Sequence, residues 1–285
     1  MTKNEGHLSP EGRSVIANAR LYWQAWLPNC SPNAIILLAH GYAEHSGRYD
    51  HVGAYCADRR LAVLAIDHWG HGKSDGQPGF VPRFSAYIDG MTALRAMADR
   101  VFPGIPKILV GHSMGGLIAS SVLLGQQQYF AGCVLSGPAI MATEPPSAAM
   151  QTISRLLSAA APKLGVLALD ATRISRDPKV VQAYLADPLV YNGKLSARLA
   201  VEMFDAMERV RTNAGKIALP VMVLHGDADS LAAPVGSQFL YDHVSSDDKQ
   251  LRLYPGLFHE IFNEPEQLSI LEEMADWITA HLGKA

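Results

Sequence analysis

Ile108-Leu109-Val110-Gly111-His112-Ser113-Met114-Gly115-Gly116-Leu117-Ile118-Ala119 is the stretch that decides how this chain folds. The apolar triplet reads as a buried strand, Gly111 to Gly115 as a turn too tight for ordinary side chains, and the small apolar run beyond it as a helix. A serine on such a strand-to-helix turn, the nucleophile elbow, has its hydroxyl held out of the backbone's way. The glycines at 111 and 115 are expected because a Cβ there would meet the neighbouring strand or helix. The helix beginning after Ser113 also aims its free N–H groups at the place where negative charge would develop on a bound carbonyl oxygen.

The rest of the chain bounds that reading. It has 285 residues, a formal net charge of −3, 48% hydrophobic and 18% charged residues. A chain of this length buries roughly three quarters of its unfolded surface, enough for one α/β domain with an insertion. Near-neutral charge without a basic stripe gives no reason to expect nucleic acid as a partner. Cys30, Cys56 and Cys133 are scattered, odd in number and lack metal-ligand spacing, which suits reduced thiols. Met1–Pro10 is polar and has no apolar signal core. No run approaches the roughly 20 apolar residues of a membrane span. The expectation is a cytoplasmic protein, with peripheral membrane contact left open.

Along the chain, Val15–Ala17 and Leu21–Trp26 read as an antiparallel pair around Asn18. Ala34–Ala39, Val63–Ile66, Ile108–Val110, Cys133–Leu135, Val221–Leu224 and Leu251–Tyr254 are short apolar runs that suit strands buried on both faces. Phe84–Val101 and Ile270–His281 carry helical spacing. Strands alternating with helices predict a mostly parallel, doubly wound sheet. Between Pro138 and Pro220 strand signals vanish. Ile153, Leu156, Leu157, Ala160 and Leu164 form one helical stripe; Asp177-Pro178 looks like an N-cap and first helical residue; Leu199, Met203, Phe204, Met207 and Val210 form another stripe. The predicted division is a core from 1–138 and 220–285, with 139–219 a helical cap over the strand ends.

A serine hydroxyl becomes a useful nucleophile when a positioned base takes its proton and a third group orients that base. The acid candidates lie in Leu224-His225-Gly226-Asp227-Ala228-Asp229, just past one buried strand; the base candidate, His259, follows the next. The order Ser113, Asp, His259, each after a strand end, is that of the α/β-hydrolase fold. Asp229 is favoured over Asp227, which is close enough to Gly226 to serve the turn instead. His68 and His71 sit in a glycine-rich turn without a further ligand at suitable spacing, so no metal is expected. The loop His40–Tyr49 follows the strand that should neighbour the nucleophile strand, which assigns oxyanion-hole donation to the backbone N–H groups of Tyr42 and Met114. Glu44 and Arg48 have the spacing of an (i, i+4) ion pair, or could form a polar floor for a hydroxylated leaving group; both readings stand. His112, beside the serine, and Ile153, Leu156 and Leu157, on the insertion, are the remaining candidates for substrate contact.

His40–Tyr49, Asp67-His68-Trp69-Gly70-His71-Gly72-Lys73-Ser74, Gly111–Gly116 and the Gly226–Leu231 turn resemble the monoacylglycerol lipase family, including its lysophospholipase-like bacterial members. The likeness runs from about Asn18 to Leu282. Ser175-Arg176-Asp177-Pro178 through Ala186-Asp187-Pro188-Leu189-Val190 resembles that family's cap. The resemblance implies an eight-stranded α/β-hydrolase with Ser113 as nucleophile, Asp229 as acid and His259 as base. It further implies a mobile apolar cap that touches membrane or micelle, a single-chain lipid ester as substrate, and no cofactor. Tyr42 stands where some relatives carry a smaller residue, which would narrow the pocket there. A serine at 113 argues against the aspartate-nucleophile chemistries of the same fold. Lysophospholipase or general esterase activity, and a receptor that has lost turnover, are the competing functions.

Overall fold

A computed structural model describes residues 1–11, 14–143 and 147–282. In chain order the strands are β1 (Thr2–Leu8), β2 (Leu21–Leu27), β3 (Ala34–Ala39), β4 (Leu61–Ile66), β5 (Lys107–His112), β6 (Gly132–Ser136), β7 (Gly165–Ala168), β8 (Lys194–Ser196), β9 (Val221–Gly226) and β10 (Lys249–Tyr254). The α-helices are α1 (Asp50–Asp58), α2 (Ser85–Val101), α3 (Met114–Gln126), α4 (Ala148–Ala160), α5 (Pro178–Ala186), α6 (Ala197–Asn213), α7 (Pro234–His243) and α8 (Gln267–His281). Eight strands form one sheet in the order β1-β2-β4-β3-β5-β6-β9-β10, with β1–β2 and β2–β4 antiparallel and every other pairing parallel. This is the α/β-hydrolase architecture.

The central strands are apolar throughout because both faces of the sheet are covered. Ile35 and Leu37 of β3 point into one core layer with Leu109, Met91 and Leu117, while Ile36 and Leu38 point into the other with Val52, Met274 and Ile278. Alternate side chains of a strand lie on opposite faces, so a continuous apolar run is what a doubly covered strand requires. At the sheet's edge the reading changes. The partner of β2 is β1, paired from Thr2↔Leu27 to Leu8↔Leu21, whereas residues 15–18 form a turn in which Asn18 has φ 70°. The predicted Val15–Ala17 strand is therefore replaced by a polar one. β1 is mostly exposed, and a solvent-facing edge strand has no need of the apolar alternation that marks an inner one.

The segment between β6 and β9 holds α4, α5 and α6, as the helical periodicities predicted. Asp177 caps α5 by accepting from Lys179 N–H, with Pro178 at the first helical position. The segment also holds the short antiparallel pair β7–β8, which the sequence did not reveal. α4 ends at Ala160, so Leu164 lies beyond the stripe to which it was assigned. Several ties fasten this segment to the sheet's loops: Tyr191 N–H donates to Ala43 O at 2.8 Å, Glu260 N–H to Ile174 O at 2.7 Å, and Arg176 Nε to Glu264 at 2.9 Å. Among the described residues no helix is long and apolar enough to cross a membrane.

Candidate active site

Ser113 joins β5 to α3 with φ 55° and ψ −119°, a strained backbone for a residue with a Cβ. The strain is held by its surroundings. Ser113 N–H donates to Ser136 O, and its carbonyl accepts from Gly116, Leu117 and Ala139. A Cβ on Gly115 would lie 2.0 Å from Ala39 O, and one on Gly111 2.4 Å from Gly115 O. No side chain fits there, so α3 packs against β3 closely enough to present Ser113 at the sheet's C-terminal edge.

The candidate acid and base meet across two loops. His259, past β10, places Nδ1 2.6 Å from Oδ2 of Asp229, past β9. Oδ1 of Asp229 accepts from the N–H groups of Leu231 and Ala232 at 2.7 and 3.0 Å. Burial disfavours charge on Asp229, but His259 and His225 outweigh it and hold the carboxyl well below the usual carboxylate range. Burial likewise disfavours charge on His259, and the Asp229 carboxylate overrides it, raising the imidazole above its ordinary 6.5. Asp227 is exposed and accepts Gly256 N–H at 2.6 Å, so it serves the turn.

His225 was not anticipated. It is fully buried, with Nε2 2.9 Å from Asp229 Oδ2 and Nδ1 2.6 Å from Ser237 Oγ. Asp229 therefore holds two imidazoles. Only the chain fold brings Ser237 and Asp229 to His225, although its place at the end of β9 hinted at the site.

Ser113 and His259 line one cavity of about 330 Å³ whose walls are mainly apolar, including Tyr42, Met141, Leu167, Met203, Phe204 and Met207. A larger groove of about 710 Å³ lies between residues 7–11 and α2 and contains none of these catalytic candidates. Met114 opens α3, where helical N–H groups lack intrahelical acceptors. Among the described residues, neither Met114 N–H nor Tyr42 N–H meets a side-chain or loop-carbonyl acceptor. A serine on a strained turn and an imidazole oriented by a carboxylate, both lining one mainly apolar cavity, are groups that acyl transfer uses.

The sequence family described as serine aminopeptidase, S33, matches residues 30–266. Over 267 residues the chain is 39% identical to the monoacylglycerol lipase of Mycolicibacterium smegmatis, covering 94% of this chain and 95% of that protein. This chain belongs to the monoacylglycerol lipase-like family of α/β-hydrolases. It is also 30% identical to the Homo sapiens monoglyceride lipase over 93% of its length and 88% of the relative's. The crystal structure of Paleococcus ferrophilus monoacylglycerol lipase superposes with a TM-score of 0.82 at 30% identity, covering 92% of this chain and 99% of that one. Membership makes the chain a carboxylic ester hydrolase.

Against this family background the remaining candidates separate. Glu44 and Arg48 do form the ion pair, at 2.8 Å, but not on an α-helix. Arg48 also grips both carboxylate oxygens of Glu260 at 2.6 and 2.7 Å. Glu44 Oε1 accepts from Gly41 N–H and Tyr49 Oη. The network ties the Tyr42 loop to the residue after His259, and neither Glu44 nor Arg48 lines the 330 Å³ cavity. His112 Nδ1 faces Ser136 O at 3.0 Å, and its ring lies 4.7 Å from that of His259; it too is absent from the lining. Ile153, Leu156 and Leu157 do not line the cavity either: Ile153 is 49% and Leu156 66% exposed. The stripe faces outward because α4 packs on the outside of α6, and α6 supplies the wall through Ala200, Met203, Phe204 and Met207. Asp67 accepts from Ser46 and Lys73 N–H. His68 and His71 are buried near Tyr87, and among the described residues no cluster of ligands suits a metal ion.

Proposed function

We propose that this chain hydrolyses monoacylglycerols to glycerol and fatty acid through an acyl-enzyme on Ser113. The observation that carries the reading is the 2.6 Å contact of His259 Nδ1 with Asp229, at a cavity lined by both Ser113 and His259. With Nδ1–H donating to Asp229, Nε2 is the bare nitrogen available to the serine. Ser113 Oγ attacks the ester carbonyl as His259 Nε2 takes its proton. Negative charge on the carbonyl oxygen is stabilised by Tyr42 N–H and Met114 N–H, each donor contributing about 2.7–4 kcal/mol in such sites. His259 then protonates the departing glycerol oxygen. Water, deprotonated by the same nitrogen, attacks the acyl carbonyl and releases the fatty acid, and the proton returns to Ser113. No step calls for a cofactor or metal.

A neutral glycerol ester suits this cavity better than a lysophospholipid. Among the described lining residues there is no Lys or Arg and Asp170 is the one carboxylate, while Arg48 is engaged by two carboxylates. A phosphate headgroup would lack a charge partner. Residues 139–219 act as a cap in this reading, and the exposed side chains Met150, Ile153 and Leu156 give it an apolar face for contact with membrane or micelle. The test is release of glycerol and oleate in equal amounts from 1-monooleoylglycerol by the wild type and not by Ser113→Ala. Faster turnover of lysophosphatidylcholine than of monoolein would overturn the choice of substrate.

A further inference from the structure

Tyr42, His68, His71 and Tyr87 bring together buried hydrogen-bonding atoms that no group among the described residues satisfies. Among the described residues, Tyr42 Oη, both ring nitrogens of His68, Nε2 of His71 and Tyr87 Oη are all without a protein partner. His68 and Tyr87 are each 1% exposed and His71 5%. The rings are neighbours: centroids lie 5.5 Å apart for His68–Tyr87, 6.2 Å for His71–Tyr87 and 5.9 Å for Tyr42–His71. The ring of His40 closes the group, 4.3 Å from His68 and 5.3 Å from His71. His40 itself is satisfied, with Nδ1 on Gly41 O and Nε2 accepting His68 N–H.

The chemistry of these atoms limits what can satisfy them. His71 Nδ1 faces Trp69 O at 3.0 Å and so carries the proton, which leaves Nε2 a bare acceptor. Burial holds His68 and His71 uncharged, His71 being pushed down to about 3, and keeps both phenols protonated. The group therefore offers hydroxyl and imidazole donors and acceptors without formal charge. A cation finds no free carboxylate oxygen here, because both of those on Asp67 accept hydrogen bonds from Ser46 and Lys73. An apolar guest would leave every atom unpaired, each at a desolvation penalty. A small molecule that both donates and accepts suits the two hydroxyls and His71 Nε2, within the roughly two to four hydrogen bonds that a buried water makes.

We propose that Tyr42, His68, His71 and Tyr87 form a binding site for a small neutral hydroxylic molecule, water or a short alcohol. Because Tyr42 also lines the cavity that contains Ser113, the guest links the wall of that cavity to α2, which carries Tyr87. The site stands on its own geometry and does not depend on which ester the chain cleaves.

Tyr87→Phe removes one hydroxyl and keeps the ring. If nothing bridges these atoms, that hydroxyl is an unpaired polar group, and its removal leaves Tm unchanged or raises it. If a guest is bound there, Tyr87→Phe lowers Tm by about 2–4 °C. Crystals of the wild type grown without alcohol, and the same crystals soaked in glycerol, give the second measurement. Density within hydrogen-bonding distance of Tyr42 Oη, His71 Nε2 and Tyr87 Oη is expected in both. A water in both crystals makes water the occupant, and glycerol in the soaked one makes it an alcohol site. A Tyr87→Phe protein as stable as the wild type, or no density in either crystal, overturns the proposal.

Discussion

Replacing Met203 with Ser distinguishes the wall of the acyl site from the outer face of the insertion. Met203 projects from α6 into the cavity and is half-buried there. Burying a methionine side chain completely is worth roughly 1.5–3 kcal/mol. Since part of Met203 is already covered by protein, an acyl chain lying over it should gain about the lower figure, near 1.5 kcal/mol, or roughly tenfold in kcat/KM. Acetate is too short to cover it. The assay compares 4-nitrophenyl decanoate with 4-nitrophenyl acetate, both below the concentration at which the decanoate aggregates. Met203→Ser should lose about tenfold on decanoate and almost nothing on acetate. Leu156→Ser should change neither, because that side chain is 66% exposed and outside the cavity; its loss should appear only when monoolein is presented in vesicles. A Leu156→Ser enzyme crippled on dispersed decanoate, beside an unaffected Met203→Ser enzyme, would refute the assignment of α6 as the acyl wall.

Ser113→Ala should lower kcat by about six orders of magnitude and Asp229→Asn by about four, the latter through the wrong imidazole tautomer; Asp227→Asn should leave the rate within a few-fold, since its carboxylate accepts Gly256 N–H in the turn and does not meet His259. The pH profile of kcat/KM should rise as His259 loses its proton, with a midpoint above 6.5, and Asp229→Asn should move that midpoint downward. For folding the signs differ: the raised His259 value adds stability that is present below about pH 6.5 and lost as pH rises through the folded value, whereas the lowered Asp229 value adds stability present above about pH 3.8 and lost on acidification, both readable in urea titrations. Gly115→Ala, whose methyl would sit 2.0 Å from Ala39 O, should abolish turnover and lower Tm markedly, measured by calorimetry.

The inner strands could be read from the sequence because both their faces are buried, and so could the serine turn, because its glycines have no steric substitute. The candidate acid and base were legible from their places after β9 and β10. β1 escaped notice as an exposed polar edge, paired from Leu8↔Leu21 out to Thr2↔Leu27. β7 and β8 are only 4 and 3 residues long, too short for a period to show. That Ile153, Leu156 and Leu157 lie off the cavity lining was hidden for a different reason. Both α4 and α6 carry an apolar stripe, and helical periodicity locates a stripe without saying what it faces. His225 and Glu260 also went unread: the turn after β9 folds Asp229 back onto His225 four residues earlier, and Glu260 meets Arg48 from a distant segment, pairings that exist only once the chain has folded.

The central claim is that Ser113 carries the acyl group. Rapid acid quenching of the Asp229→Asn enzyme during turnover of 1-monooleoylglycerol, followed by peptide mass analysis, tests it directly. The account predicts an oleoyl ester on the peptide containing Ser113 and none on the corresponding peptide of Ser113→Ala. Oleoyl on another residue, or continued fatty-acid release by Ser113→Ala, would contradict it.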